Sequence, residues 1–330
     1  MNIPPFRYLR AADEKAALGG LASQDSALLA GGTNLVDMMR LGVMRPAVVI
    51  DVSRLPLSRI DVTPEGLSLG AMARNSDVAH HPLVREHFPV LAEALLSGAS
   101  PQLRNLATVG GNLLQRTRCV YFRDVENPAC NKRNPGSGCA AMDGWTRMHA
   151  VLGTSDSCIA AHPSDMCVAL AALDAVVHVR GPKGERAIPV ADFHTIPGAR
   201  PEIETTLGRD ELIVRVTAPA TAFSKRSRYV KVRDRASYAF ALASCAACLE
   251  IDGSGIVKQA RVALGGVGTK PWRSLDAERA IVGKKPAADV FRGAGEIAMN
   301  GARTRPDNAF KVELGQRVVA RALELAARAP

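Results

Sequence analysis

Two short stretches of this chain carry nearly the same letters: Ala30-Gly31-Gly32-Thr33-Asn34-Leu35 and Thr108-Val109-Gly110-Gly111-Asn112-Leu113. Adjacent glycines at a strand end admit φ > 0 and aim successive N–H groups into one concavity. A helix beginning there adds its positive end, and Thr33 offers a hydroxyl, which together make a pyrophosphate site. A plain strand-to-helix turn would leave the same letters behind. The spacing is not the G-x-G-x-x-G of a nicotinamide-binding fold. Two copies in one region suggest two backbone cradles that grip the two halves of one diphosphate ligand.

Cysteine is the second signal. Four of seven cysteines, Cys119, Cys130, Cys139 and Cys158, fall within forty residues, spaced C-x10-C-x8-C-x18-C. That is wider than a zinc finger or a bacterial ferredoxin run. The setting compensates, because Gly136 and Gly138 let the loop wrap, and Arg116, Arg118, Lys132 and Arg133 would favour thiolates. Four thiolates without a matching histidine pair suit an iron–sulfur cluster or an all-thiolate zinc site. Cys245 and Cys248 sit three apart in a strand-like run, so they point to opposite faces. They read as buried free thiols, as does Cys167 within a helix; Cys167 is the reserve candidate for a cluster ligand.

Two further positions could touch a ligand. In His162-Pro163-Ser164-Asp165, Ser164 or Asp165 can cap the following helix, and the Asp165 carboxylate could also accept from a polyol such as a ribityl chain. In Arg228–Arg235, alternation puts Tyr229, Lys231, Arg233 and Arg235 on one face and Val230 and Val232 on the other. This is either a solvated basic face or a cation beside a flavin's pyrimidine end. No nucleophile or general base stands out.

The elements that must position these groups follow from periodicity. A strand over 6–9, a helix over 12–21, a strand over 27–30, a helix over 34–41 and a strand over 47–50 make a βαβ pattern with a small parallel sheet. Residues 66–72 read as a strand. A helical stretch then runs to about Gly98, broken at Pro82 and Pro89. Residues 115–149 show no sustained period, as expected of a loop folded around something. A helix over 164–173 and strands over 175–180 and 211–217 follow, with a domain break near 220. Beyond it come strands around 228–233, 238–250 and 256–265, a helix near 275–300, and an amphipathic helix from about Asn308. That part is α+β.

Length and composition bound the rest. At 330 residues, 47% hydrophobic and 22% charged, the chain is an ordinary globular one of two or three domains. No apolar run is long enough for a membrane span, and the charged N-terminus does not read as a signal peptide. A balance of +10 permits several anionic partners, while 4% aromatics argue against single-strand stacking platforms. Seven cysteines, an odd number, without a leader favour a metal or cluster over disulfides.

Taken together, AGGTNL, TVGGNLLQRTRC, CNKRNPGSGC, HPSD and KVRDRASYAFA resemble the FAD-binding subunit of molybdenum hydroxylases, the xanthine dehydrogenase family, over essentially the whole chain. The cysteine loop resembles most the [4Fe–4S]-bearing flavin subunit of bacterial periplasmic aldehyde oxidoreductases. The resemblance implies an α+β fold: an FAD-binding domain of the PCMH/vanillyl-alcohol-oxidase-like type over 1–220, built of two α/β subdomains, then a smaller α+β domain over 221–330. It implies that Ala30, Gly31, Gly32, Thr33, Asn34, Leu35, Thr108, Gly110, Gly111 and Asn112 hold the FAD diphosphate. Asp165 and Lys231 would lie near the flavin, and Cys119, Cys130, Cys139 and Cys158 would ligate the cluster. Asn34 stands where many relatives have a carboxylate, leaving that contact neutral. The implied role is electron transfer in a heterotrimer. The molybdenum cofactor and [2Fe–2S] clusters would reside on partner subunits and electrons would leave to an external acceptor. Periplasmic export bound to a partner, or residence in the cytoplasm, fits the absence of a leader. A 4-hydroxybenzoyl-CoA reductase β subunit is the nearest rival, and a basic iron–sulfur protein of nucleic acid a more distant one.

Overall fold

A computed structural model describes residues 3–329. Strands β1 (Arg7–Arg10), β2 (Ser26–Leu29) and β3 (Val48–Asp51) form a parallel sheet in the order β1-β3-β2, as the βαβ pattern requires. Asp13 accepts the Ala16 N–H at 2.7 Å and so starts the helix Glu14–Leu21. Gly20 lets that helix lie close on the sheet, since a Cβ there would meet Ile50 at 2.7 Å.

Five antiparallel strands make the second sheet: β4 (Ile60–Thr63), β5 (Gly66–Gly70), β6 (Val176–Gly181), β7 (Gly184–Pro189) and β8 (Leu212–Pro219), in the order β4-β5-β8-β6-β7. The edge strands β4 and β7 escape sequence reading because neither has a buried, alternating face. The prolines act as expected. Pro82 and Pro89 each open a new helix, giving Asn75–His80, Pro82–His87 and Pro89–Ser97. All eight residues of the helix Asp165–Ala172 are buried, capped by Ser164 Oγ accepting the Cys167 N–H at 3.1 Å.

The third sheet has the order β12-β11-β10-β9, from β9 (Ser227–Val232), β10 (Ala243–Ile251), β11 (Val257–Gly265) and β12 (Trp272–Arg273). Two expectations are corrected here. The strand expected from 238 begins at Ala243, because residues 234–238 form bends with Tyr238 at φ +51°. The single helix near 275–300 is two, Leu275–Ile281 and Ala288–Ala298, parted at Gly283 with φ +80°. One face of this sheet, through Cys245, Ala247 and Leu249, packs under those helices and the last one, Phe310–Ala327. The other face puts Tyr229, Ala246 and Cys248 into the core of the second sheet and its helices. Cys245 and Cys248 therefore point apart, as period two demands.

Candidate flavin and metal site

The first glycine turn follows β2 and leads into the helix Leu35–Arg40. Gly31 lies back to back with the second loop, and a Cβ there would stand 1.9 Å from the Leu106 carbonyl oxygen. Gly32 takes φ +72°. The N–H groups of residues 31–34 meet no acceptor among the described residues. The second glycine pair is not a strand-end turn but lies inside a short helix, Val109–Leu113, capped by Thr108, whose Oγ1 accepts the Gly111 N–H at 3.2 Å. Gly110 N–H donates to the Ala71 carbonyl at 2.8 Å, an approach that a side chain at 110 would crowd. Asn34 ties the loops together by accepting the Arg116 N–H at 3.2 Å, while its Nδ2 is buried and unpaired.

Where the two loops meet, two cavities adjoin and share Thr33, Asn34 and Gly111. One, about 330 Å³, is walled by Ala30–Leu35, Thr108, Gly110 and the segment 207–213. The other, about 710 Å³, reaches Asn112, Asp165 and Lys231. A dinucleotide laid across the loops would place one half in each, with unpaired N–H groups at its waist.

Asp165 and Lys231 form a buried pair at the floor of the larger cavity. Lys231 Nζ donates to Asp165 Oδ2 at 2.8 Å and to the Ser97 carbonyl at 3.0 Å. Tyr229 Oη donates to Asp165 Oδ1 at 2.6 Å, and burial followed by the carboxylate pushes its pKa well up. Lys231 thus does not sit on a solvated face; its side chain is 3% exposed. Tyr229 and the Ser97 carbonyl were not identified as site groups by sequence reading. Alternation had placed Tyr229 beside Lys231, which was the available clue.

The loop 115–149 is held by turns and one short helix, Val120–Arg123. Cys119, Cys130, Cys139 and Cys158 line one small cavity with Asn131, Lys132 and His149; all four are free thiols, and the backbones at Cys130 and Cys139 pair in an isolated antiparallel β-bridge. Burial, and then the neighbouring thiols, push Cys119 up to about 12; burial raises Cys139 and Cys158 as well. Cys130 and Cys158 are buried and Cys119 and Cys139 half-buried, and sulfurs gathered in this way would suit a metal or cluster as ligands. Cys167 lies in the main core and does not line this cavity.

The cations do something other than expected. Among these cations, Lys132 favours the thiolate of Cys158. Arg133 organises the loop by donating to the carbonyls of Tyr121, Phe122 and Asp124 at 2.8–2.9 Å. Arg116 and Lys132 both grip Glu204, at 2.5 and 3.1 Å, which holds its pKa down against the cost of burial. Arg118 stacks on Phe240 at 5.3 Å. Glu204 belongs to a distant loop, and nothing in the sequence singles it out. His162 and His194 pack edge to face at 4.3 Å with Cys167 nearby, and burial keeps both imidazoles uncharged.

Two glycine-bearing loops between adjoining cavities, with four cysteines gathered nearby, would suit a dinucleotide-binding redox protein. Comparison with known proteins gives the family. The profile of the FAD binding domain in molybdopterin dehydrogenase matches residues 4–221, and that of the CO dehydrogenase flavoprotein C-terminal domain matches 228–326. The chain belongs to this family of FAD-binding subunits, within oxidoreductases of the xanthine dehydrogenase type. It is 50% identical to the aldehyde oxidoreductase FAD-binding subunit PaoB of Escherichia coli over 94% of each chain. It is 28% identical to the glyceraldehyde dehydrogenase medium chain of Sulfolobus acidocaldarius, over 88% of this chain and 86% of that one. Among solved structures, carbon monoxide dehydrogenase of Hydrogenophaga pseudoflava superposes with a TM-score of 0.78, at 26% identity and full coverage of both chains.

Proposed function

We propose that this chain is the FAD- and [4Fe–4S]-carrying electron-transfer subunit of a molybdenum-dependent aldehyde oxidoreductase. It would sit between partner subunits that bear the molybdenum cofactor and [2Fe–2S] clusters and an external acceptor. FAD binding comes with the family. The aldehyde assignment is supported by the identity to PaoB across nearly the whole chain. The cluster is supported by one observation: four cysteines spread over forty residues converge on a single buried cavity.

Bound FAD accepts electrons singly or in pairs, which suits it to join a one-electron cluster to a two-electron acceptor. The chain's own residues hold and tune it. The loop at Gly31–Asn34 presents N–H groups to the diphosphate, while those of Val109–Asn112 are spent on Ala73, Ala71 and Thr108, so that segment would wall the ligand through its close backbone. Lys231, fixed by Asp165 and Ser97, brings a cation to the wall of the larger cavity, where negative charge on a reduced flavin would be stabilised. Cys119, Cys130, Cys139 and Cys158 would hold the cluster, and Arg133 shapes the loop that carries them.

The test is iron, sulfide and flavin analysis with an absorption spectrum of the purified complex. The expected content on this chain is about four irons, a cuboidal cluster's complement, and one FAD. Cys139→Ser should lose iron while retaining much of the flavin. Full iron content in that variant would refute the ligand set.

A further inference from the structure

His149 closes the cysteine loop. It is buried and lines the quartet's cavity, with Nε2 3.1 Å from Cys119 Sγ. Its Nδ1 is buried with no partner. A thiolate that ligates a metal has lost its proton and can only accept, so the imidazole proton at this contact lies on Nε2. A proton on Nδ1 alone would set a bare lone pair against that sulfur. The arrangement is an N–H···S hydrogen bond to one ligand of the centre.

The ring is held from the far end of the chain. His149 N–H donates to the Thr146 carbonyl at 2.8 Å, and Thr146 N–H donates to Asp307 Oδ2 at 3.1 Å. The Arg147 guanidinium lies 4.8 Å over Phe310. Arg303 N–H donates to the Val151 carbonyl at 2.8 Å, and Asn308 Nδ2 to that of Ala150 at 3.4 Å. Residues 303–310 thus clamp the turn on both sides of His149.

We infer that His149 is a positioning residue for electron transfer: it donates to the Cys119 sulfur, raises the cluster's midpoint potential, and is set in place by the segment 303–310. This rests on the cluster assignment above. A donor aimed at a ligand sulfur stabilises the more negative, reduced state more than the oxidised one, so its loss makes the cluster harder to reduce. In the intact chain the bond would bring the cluster toward potentials at which its electron exchange with the flavin is less uphill.

The experiment uses the purified complex with wild-type chain, His149→Leu, His149→Gln and Asp307→Ala, each analysed for iron and titrated by EPR-monitored redox potentiometry. His149→Leu should keep its iron. At a fixed ambient potential its reduced-to-oxidised ratio should fall about tenfold, roughly 59 mV for a one-electron couple. His149→Gln, whose amide can donate to the same sulfur, should recover most of that shift. Asp307→Ala, at an exposed position, frees the turn and should shift the potential the same way by less. An unchanged potential in His149→Leu overturns the proposal. Loss of iron there overturns it too, by making the imidazole a ligand. An unchanged potential in Asp307→Ala overturns the role of the clamp. A wild-type complex without iron on this chain would instead sink the cluster assignment itself.

Discussion

Asp165 shows how much one buried charge depends on its partners. Its two oxygens are taken by Tyr229 and Lys231, and all three residues are secluded from solvent. Removing one member of such a pair leaves the other desolvated and uncompensated, which typically costs about 3–5 kcal/mol. Lys231→Met should therefore destabilise the chain by about that much in urea denaturation. Adding Asp165→Asn should recover a large part, because the uncompensated charge is then gone. Additive losses in the double variant would mean that the two groups are not energetically coupled. The sequence marked Asp165 and Lys231 but left Tyr229 as a strand neighbour, since a partner 64 residues away in the chain leaves no local trace.

At the scale of elements, the two glycine turns work only because they touch. The Gly31 approach to the Leu106 carbonyl is backbone against backbone, so no rotamer change can relieve an added methyl. Gly31→Ala should push the loops apart and lower the flavin-to-protein ratio of the purified chain, read from its absorbance, well below that of wild type. Gly19 lies in the helix Glu14–Leu21 with nothing within 4 Å of a Cβ there. Gly19→Ala should keep its flavin and gain up to about 1 kcal/mol from helix propensity. Equal flavin content in the two variants would refute the cradle. Paired glycines followed within two residues by Asn marked both loops, but not that the second is a short helix or that one loop buttresses the other.

Across the whole molecule, the last helix reaches back to the cysteine loop, and Lys311 shows the cost. Its ammonium is fully buried, donates to the Gly266 carbonyl at 2.8 Å, and has no ion pair among the described residues. Burial, with Arg147 opposing and Asp234 favouring the charge, brings its pKa from 10.5 down to about 7, and it in turn depresses the neighbouring His149. Between those two values the unfolded chain binds more protons than the folded one, so stability rises with pH across the window. Each tenfold in proton affinity is worth about 1.4 kcal/mol, so the rise is on the order of 5 kcal/mol. Lys311→Met should remove it. The variant's advantage in unfolding free energy should be greatest near pH 6–7 and shrink toward pH 10, over a constant offset from the lost Gly266 bond. A pH-independent difference between the two proteins would refute the linkage.

The chain's own letters determined the chemistry on offer. Paired glycines, a thiol set in a loop without period, and a lysine in an alternating strand are legible because each depends on residue type and short spacing. The βαβ start, the proline-parted helices and the opposed Cys245 and Cys248 were legible for the same reason. Tertiary structure alone decided which groups face one another. It turned Arg133 onto loop carbonyls, bound Arg116 and Lys132 to Glu204, kept Cys167 in the core and set His149 against Cys119. Those choices depend on segments up to 160 residues apart being brought into contact by shared cores, and a contact of that span is not written in any local pattern.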